Sequence, residues 1–135
     1  MTILKSRGRA LTRFLMVLLS LTVTTTFGGL THSAKAETLL WEFRSEHPKI
    51  VDVELYSQTR RGHVWPGNKK VYVLNDYSNK TIRISCRYGE KVCYGAWVRN
   101  RNNSYWGVGY NNRNGCKNCC YTCDGGRTKV IVLNP

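Results

Sequence analysis

Acidic side chains are scarce in this chain: eight Asp and Glu stand against 21 Lys and Arg in 135 residues. The eight (Glu37, Glu42, Glu46, Asp52, Glu54, Asp76, Glu90 and Asp124) are scattered. No paired-carboxylate motif, no His-Glu-x-x-His and no Gly-x-Ser-x-Gly occurs, so the common hydrolytic machineries are not indicated. Histidine is equally sparse, with only His47 and His63 beyond residue 36. The expectation is a protein that is not an enzyme and takes no cofactor. His63, beside Trp65, is the first candidate should folding assemble a site that sequence does not show. A spanning hydrophobic run is lacking too. The longest, Phe14–Val23, is too short, because a membrane-crossing helix needs about 20 predominantly apolar residues. Extending it to Leu30 takes in Thr24, Thr25, Thr26, Gly28 and Gly29. Beyond residue 36, apolar residues nowhere recur with a helical period.

That short run sits in a recognisable order. Lys5, Arg7, Arg9 and Arg13 precede it, and the small-x-small site Ala34-Lys35-Ala36 follows before Glu37. Charge, apolar core and small-residue site together read as a cleavable secretory signal over residues 1–36. Residues 37–135 then form a single domain that works in the periplasm or outside the cell. Five of the 21 basic residues and none of the acids fall in the leader, which leaves the domain at a formal +8.

All six cysteines lie in that domain: Cys86, Cys93, Cys116, Cys119, Cys120 and Cys123. An even count in a short exported chain reads as a disulfide framework. The cluster Cys116-x-x-Cys119-Cys120-x-x-Cys123 also admits a thiolate metal site, in which Cys86, Cys93 or His63 could take part. Zinc sites usually separate their two Cys-x-x-Cys units, so that two loops approach the ion from different sides, and here the units abut. A redox dithiol needs a helix to start at its first cysteine, and Asp124-Gly125-Gly126 follows instead. Disulfides are therefore preferred, and no metal ligand is assigned.

The apolar pattern has period two. Val51, Val53 and Leu55 alternate with Asp52 and Glu54, and Ile82, Ile84 and Cys86 alternate with Thr81, Arg83 and Ser85. Strands are expected over 49–56 and 81–86, with further strands over 39–43, 70–74, 92–98, 105–110 and 129–133. The last is apolar on both faces and is expected at the centre of a sheet. Turn residues separate the runs: Pro66-Gly67-Asn68, 75–79, Gly89-Glu90, 100–103 and Asp124-Gly125-Gly126. Short strands at this spacing predict an all-β fold, a small antiparallel sandwich or open barrel of six or seven strands with a disulfide-stapled cysteine-rich loop capping one end.

The segment 83–97 reads as a hairpin about Gly89-Glu90, with Gly first in a type II′ turn. That register puts Cys86 opposite Cys93, at about 4.5–5.5 Å between Cα atoms, and predicts their pairing. The alternative is that either reaches the later cluster.

Aromatics are dense, and most are expected to pack between strands. In Tyr105-Trp106-Gly107-Val108-Gly109-Tyr110, Trp106, Val108 and Tyr110 are expected on one face and Tyr105 and the glycines on the other. Glycines in a strand admit a second backbone or a flat ligand. Arg99, Arg101 and Arg113 flank it with five asparagines. Aromatic, Arg and Asn side chains together can stack on and hydrogen-bond a sugar or a base. The candidate ligand contacts are Arg99, Arg101, Tyr105, Trp106, Tyr110 and Arg113.

Ile84-Ser85-Cys86, Gly89-Glu90-Lys91-Val92-Cys93-Tyr94-Gly95-Ala96-Trp97, the strand Tyr105 to Tyr110, Gly115-Cys116 to Cys123 and the Trp65-Pro66-Gly67 turn form one pattern. It resembles small secreted bacterial proteins with a Gly-Glu-x-x-Cys-Tyr-Gly-Ala-Trp hairpin and a Cys-Cys-Tyr-Thr-Cys cluster. The resemblance spans roughly residues 50–133. It implies export and the six-cysteine framework, and transfers no activity.

The leading expectation is a non-enzymatic binding module for an anionic or glycan component of the cell envelope. Lipid head groups, anionic glycans and released nucleic acid are the anionic partners open to an exported protein, and nucleic acid is not the expected one. The alternatives are a zinc protein using the cysteine cluster, and a protein-binding inhibitor or toxin-like effector using the disulfide scaffold to present loops.

Overall fold

The computed structural model describes residues 35–135. The expected signal peptide lies, but for its last two residues, outside the described residues.

The described residues are all-β. Among them nine strands run in order: β1 (Ala36–Ser45), β2 (Val51–Ser57), β3 (Val64–Trp65), β4 (Tyr72–Leu74), β5 (Asn79–Arg87), β6 (Lys91–Val98), β7 (Arg101–Gly107), β8 (Cys120–Thr122) and β9 (Arg127–Leu133). They form two sheets. The first has the order β5-β1-β9; in the second, β2 and β6 lie at the centre, with β3 and β4 beyond β2 and with β7 and β8 beyond β6. The only helical element among the described residues is a single 3-10 turn, Tyr110–Asn112.

The two sheets pack face to face, and strand alternation supplies the core. From the first sheet come Leu39, Trp41, Phe43, Ile82, Ile84, Cys86 and Leu133; from the second, Val51, Val53, Leu55, Leu74, Val92 and Ala96. Trp41 and Phe43, fully buried on the central strand, meet Tyr94 and Tyr121 edge-on at ring distances of 5.1–6.2 Å.

All seven expected strands are present. The two added ones, β3 and β8, have two and three residues, too few for periodicity to register. Three expectations about the strands need correction. First, β9 is an edge strand, not a central one, paired in parallel with β1 alone. Its double-sided apolar pattern leaves Val130 43% exposed. Second, β7 begins at Arg101, inside the expected turn, and stops at Gly107. Gly107 and Gly109, both at positive φ, turn the chain there.

Third, segment 83–97 is not a hairpin, because β5 pairs with β1 while β6 pairs with β2, β7 and β8. The turn Arg87–Glu90 carries the chain from one sheet to the other. It closes with Glu90 N donating to Arg87 O at 2.9 Å, with Gly89 third and at φ 78°. A positive φ at that place suits glycine. Glu90 does not face solvent either. Its carboxylate accepts from Arg87 N, Ser57 Oγ and Arg60 at 2.5–3.0 Å and is 3% exposed. The acid locks the crossing.

The predicted Cys86–Cys93 bond therefore does not form. Instead Cys86 pairs with Cys123, Cys93 with Cys120 and Cys116 with Cys119. Alternation along β8 explains the choice. Cys120 faces away from the core, directly across from Cys93 on β6. Cys123, three positions on, faces inward and reaches Cys86 on the opposite sheet. The cysteine-rich loop thus lies along the edge of β6 as well as closing the core, instead of capping one end.

Candidate functional site

The second sheet has an outer face, and Asp52 and Glu54, which alternate with the core residues of β2, lie on it. Three cross-strand rows organise it. Asp52 stands across from Trp97, and Trp97 from Tyr105; Glu54 across from Gly95, and Gly95 from Gly107; Tyr56 across from Cys93, and Cys93 from Cys120.

The chain after β7 folds back over this face. A Cβ on Gly95 would stand 2.1 Å from Gly109 O, so the missing side chain lets a backbone lie flat on the sheet. The flat partner is therefore the protein's own chain. Tyr105 lies over Gly109, whose added Cβ would meet its ring at 3.0 Å. Tyr110 then packs edge-on against the buried Trp97, with ring centroids 5.0 Å apart. Asn111 N donates to Tyr56 Oη at 3.0 Å, and Tyr56 Oη donates to Glu54 Oε2 at 2.6 Å.

Beside Tyr110 opens a cleft of about 490 Å³ lined by Asp52, Trp97, Arg99, Asn100, Arg101, Asn102, Asn103 and Tyr110. Asp52 fixes one wall: Arg99 donates from Nε to both carboxylate oxygens and from Nη2 to Oδ1 at 2.6–3.2 Å. The guanidinium is held in one plane, with Nη1 outside those bonds. Among the described residues Arg101 forms no ion pair and stands exposed.

The six candidate contacts divide. Arg99, Arg101 and Tyr110 line this cleft, and Tyr105 stands beside it on the same face. Trp106 does not join them. It lies across from Ala96, packs against the core and meets His47 edge-on at 5.7 Å. Arg113 lines a different cleft, next to Cys116 and Cys120. Tyr110 and Trp106 were expected on one face; the turn through Gly107 and Gly109 separates them. Asp52 and Trp97 were not anticipated. Asp52, Glu54 and Tyr56 alternate on one side of β2, but that alternation alone does not show what covers them.

His63 is placed edge-on to Trp65 at 4.5 Å, with Arg60 over the same indole at 5.2 Å. Burial and the neighbouring Arg60 charge push its pKa below the ordinary imidazole value. Glu54 is shifted upward, mainly by burial and against the hydrogen bond from Tyr56. Among the described residues no Lys or Arg lies within ion-pair distance of this buried carboxylate, unlike Glu42, Asp52 and Glu90, which hold Arg127, Arg99 and Arg60.

No family model matches the chain, and no curated protein or solved structure is significantly similar to it. Among the described residues no helix is long and apolar enough to cross a membrane. Three disulfides are compatible with an oxidising, extracytoplasmic setting.

Proposed function

We propose that this protein is a non-enzymatic periplasmic or secreted binding module that takes an acidic glycan of the cell envelope in the Arg99–Asn103 cleft. One observation carries the reading. The cleft concentrates two arginines, three asparagines and a tyrosine edge on a rigid sheet, and one arginine is oriented by a buried aspartate while the other lacks an acidic partner. Planar amides and guanidinium groups match sugar hydroxyls and carboxylates, and an aromatic ring offers an apolar contact for a sugar face. A small cluster of convergent polar groups on a preformed surface is the usual form of a small-ligand site.

The charge pattern supports an anionic ligand. Four of the eight acids, Glu42, Asp52, Glu54 and Glu90, are buried. Three of them are neutralised by arginines, and the surface around those pairs keeps a strong positive excess.

Calorimetric titration of residues 37–135 with a uronate-containing oligosaccharide at low salt tests this. Its neutral, reduced counterpart is the control. Arg101→Ala is expected to weaken binding about tenfold, the loss of one charge-assisted hydrogen bond. Equal affinity for the two oligosaccharides, or no effect of Arg101→Ala, would refute the reading.

A further inference from the structure

A second site lies at the other end of the same outer face, and it does not depend on glycan binding. The sulfurs of two disulfides meet there. Cys119 Sγ lies 3.8 Å and Cys116 Sγ 4.0 Å from Cys120 Sγ, and the sulfurs of Cys93, Cys119 and Cys120 all fall within 4.8 Å of one another. Four thiolates around a zinc ion, at about 2.3 Å each, stand about 3.8 Å apart along the edges of the tetrahedron. To reach that spacing, each disulfide opens from bond length and Cys116, the one sulfur of the four outside that group, draws in toward Cys93.

We infer that Cys93, Cys116, Cys119 and Cys120, once reduced, form a four-thiolate site for Zn²⁺, while the Cys86–Cys123 disulfide stays intact and holds the site in place.

Three features favour this. The first is that the ligands come from two sides, Cys93 from β6 and the others from the loop and β8, although their sequence spacing places three of them close together. The second is a frame independent of the sulfurs. β8 pairs with β6 at Lys91, Val92 and Cys93, and Tyr94 N donates to Cys119 O at 3.0 Å. The Cys86–Cys123 bond, at 4% and 0% exposure, is sealed in the core, whereas Cys116 and Cys120 are half-buried. A soluble reductant reaches the outer pair of disulfides first. The third is charge. A zinc ion with four thiolates carries a net −2. The cleft leading to Cys116 and Cys120 is lined by Gln58, Lys91, Arg113 and three asparagine or glycine neighbours, with no acid among them. Two cations there favour both the thiolates and the dianionic complex.

The chemistry balances with a dithiol as reductant. One thiolate of the reagent attacks Cys116 Sγ, the Cys116–Cys119 bond breaks and Cys119 leaves as thiolate. The second thiol of the reagent then resolves the mixed disulfide, freeing Cys116 and leaving oxidised reagent. Attack at Cys120 Sγ frees Cys93 in the same way. Each disulfide takes up two electrons and two protons, and Zn²⁺ displaces the four thiol protons on binding.

The test is native mass spectrometry and zinc-chelator competition on residues 37–135, anaerobically, with excess dithiol and zinc chloride. Circular dichroism reports the fold in the same samples. We expect one zinc per chain, a mass deficit of two hydrogens for the surviving disulfide, and alkylation of four cysteines after the metal is stripped. Cys93→Ser and Cys116→Ser should each weaken zinc binding by roughly a hundredfold or more, since even the outer partners of metal ligands are worth 10–100-fold. Cys116→Ser removes the bond closing the shortest loop and guards against misfolding of the other variant. Folded, reduced protein without stoichiometric zinc would overturn the proposal. So would loss of the β fold on reduction in the presence of zinc, or unchanged zinc affinity in both variants.

Discussion

Glu90 and Glu54 are two buried carboxylates with opposite settings. Burial opposes ionisation of Glu90, but hydrogen bonds from Arg60, Arg87 N and Ser57, with the Arg60 charge, overcome it and hold its pKa down to about 2. A depressed carboxylate contributes stability above its unfolded value near 4.5, and that contribution is lost as pH falls through about 2. Glu90→Gln should therefore destabilise by about 3 kcal/mol at pH 7, with the difference shrinking steadily below pH 4.5 and smallest near pH 2. Urea denaturation at both ends of that range checks it; an equal penalty throughout would show that shape, not charge, matters. For Glu54 the sign reverses. Its pKa is raised, so the charged form is less favoured in the fold than in the unfolded chain. Glu54→Gln keeps an acceptor for Tyr56 and should be neutral, or stabilising by up to about 1 kcal/mol at pH 7. Gly95 works by an absence. Gly95→Ala puts a methyl group 2.1 Å from Gly109 O. The loop must lift off the sheet, at a cost of about 2–3 kcal/mol measurable by thermal unfolding, with Tyr110 losing its contact with Trp97.

At the scale of elements, β8 sets the positions of the cysteine cluster and the chain that precedes it. Its three residues align Cys120 with Cys93 and leave Cys123 facing inward toward Cys86, where the bond closes 37 residues of sequence separation between the sheets. In the chain-entropy picture, Cys86→Ala with Cys123→Ala should cost about 4 kcal/mol, and Cys116→Ala with Cys119→Ala only about 2 kcal/mol. Denaturant midpoints rank the two pairs; a reversed order would mean that the short bond, not the inter-sheet one, holds the fold. Strand alternation was legible in the sequence. Val51–Leu55 and Ile82–Cys86 declare their buried side directly, and all seven expected strands are present. The pairing of strands was not legible. Gly89-Glu90 serves a hairpin turn and a sheet-crossing turn equally well. What decides is whether Glu90 finds Arg60 and Ser57, about thirty residues away. The cross-strand rule for disulfides did hold, but between Cys93 and Cys120, on strands that sequence did not pair. For the same reason the sequence marks Arg99, Arg101 and Tyr110 of the candidate cleft and not Asp52 and Trp97, which line it with them. Local composition marks a loop, but only long-range pairing brings β2 and β6 beneath it.

Across the whole molecule, the acids are drawn inward and the cations left outside. Asp52, Glu42 and Glu90 orient arginines, and the exposed acids are few: Glu46, Asp76 and Asp124. On the proposed reading, an anionic ligand is attracted over a broad surface and held at the cleft where amides, guanidinium groups and an aromatic edge converge. Affinity for the acidic oligosaccharide should thus fall as salt is raised from about 0.01 to about 0.15 M, as the Debye length shrinks from about 30 to about 8 Å. Selectivity over other polyanions should survive the change. The most direct test is an amide chemical-shift titration of isotope-labelled residues 37–135 with that oligosaccharide at about 0.15 M salt. We predict shifts concentrated at Arg99–Asn103, Tyr110 and the Trp97 indole. Shifts spread over Arg83, Arg87 and the other surface cations, or confined to the far sheet, would contradict a cleft site and leave only diffuse electrostatic association.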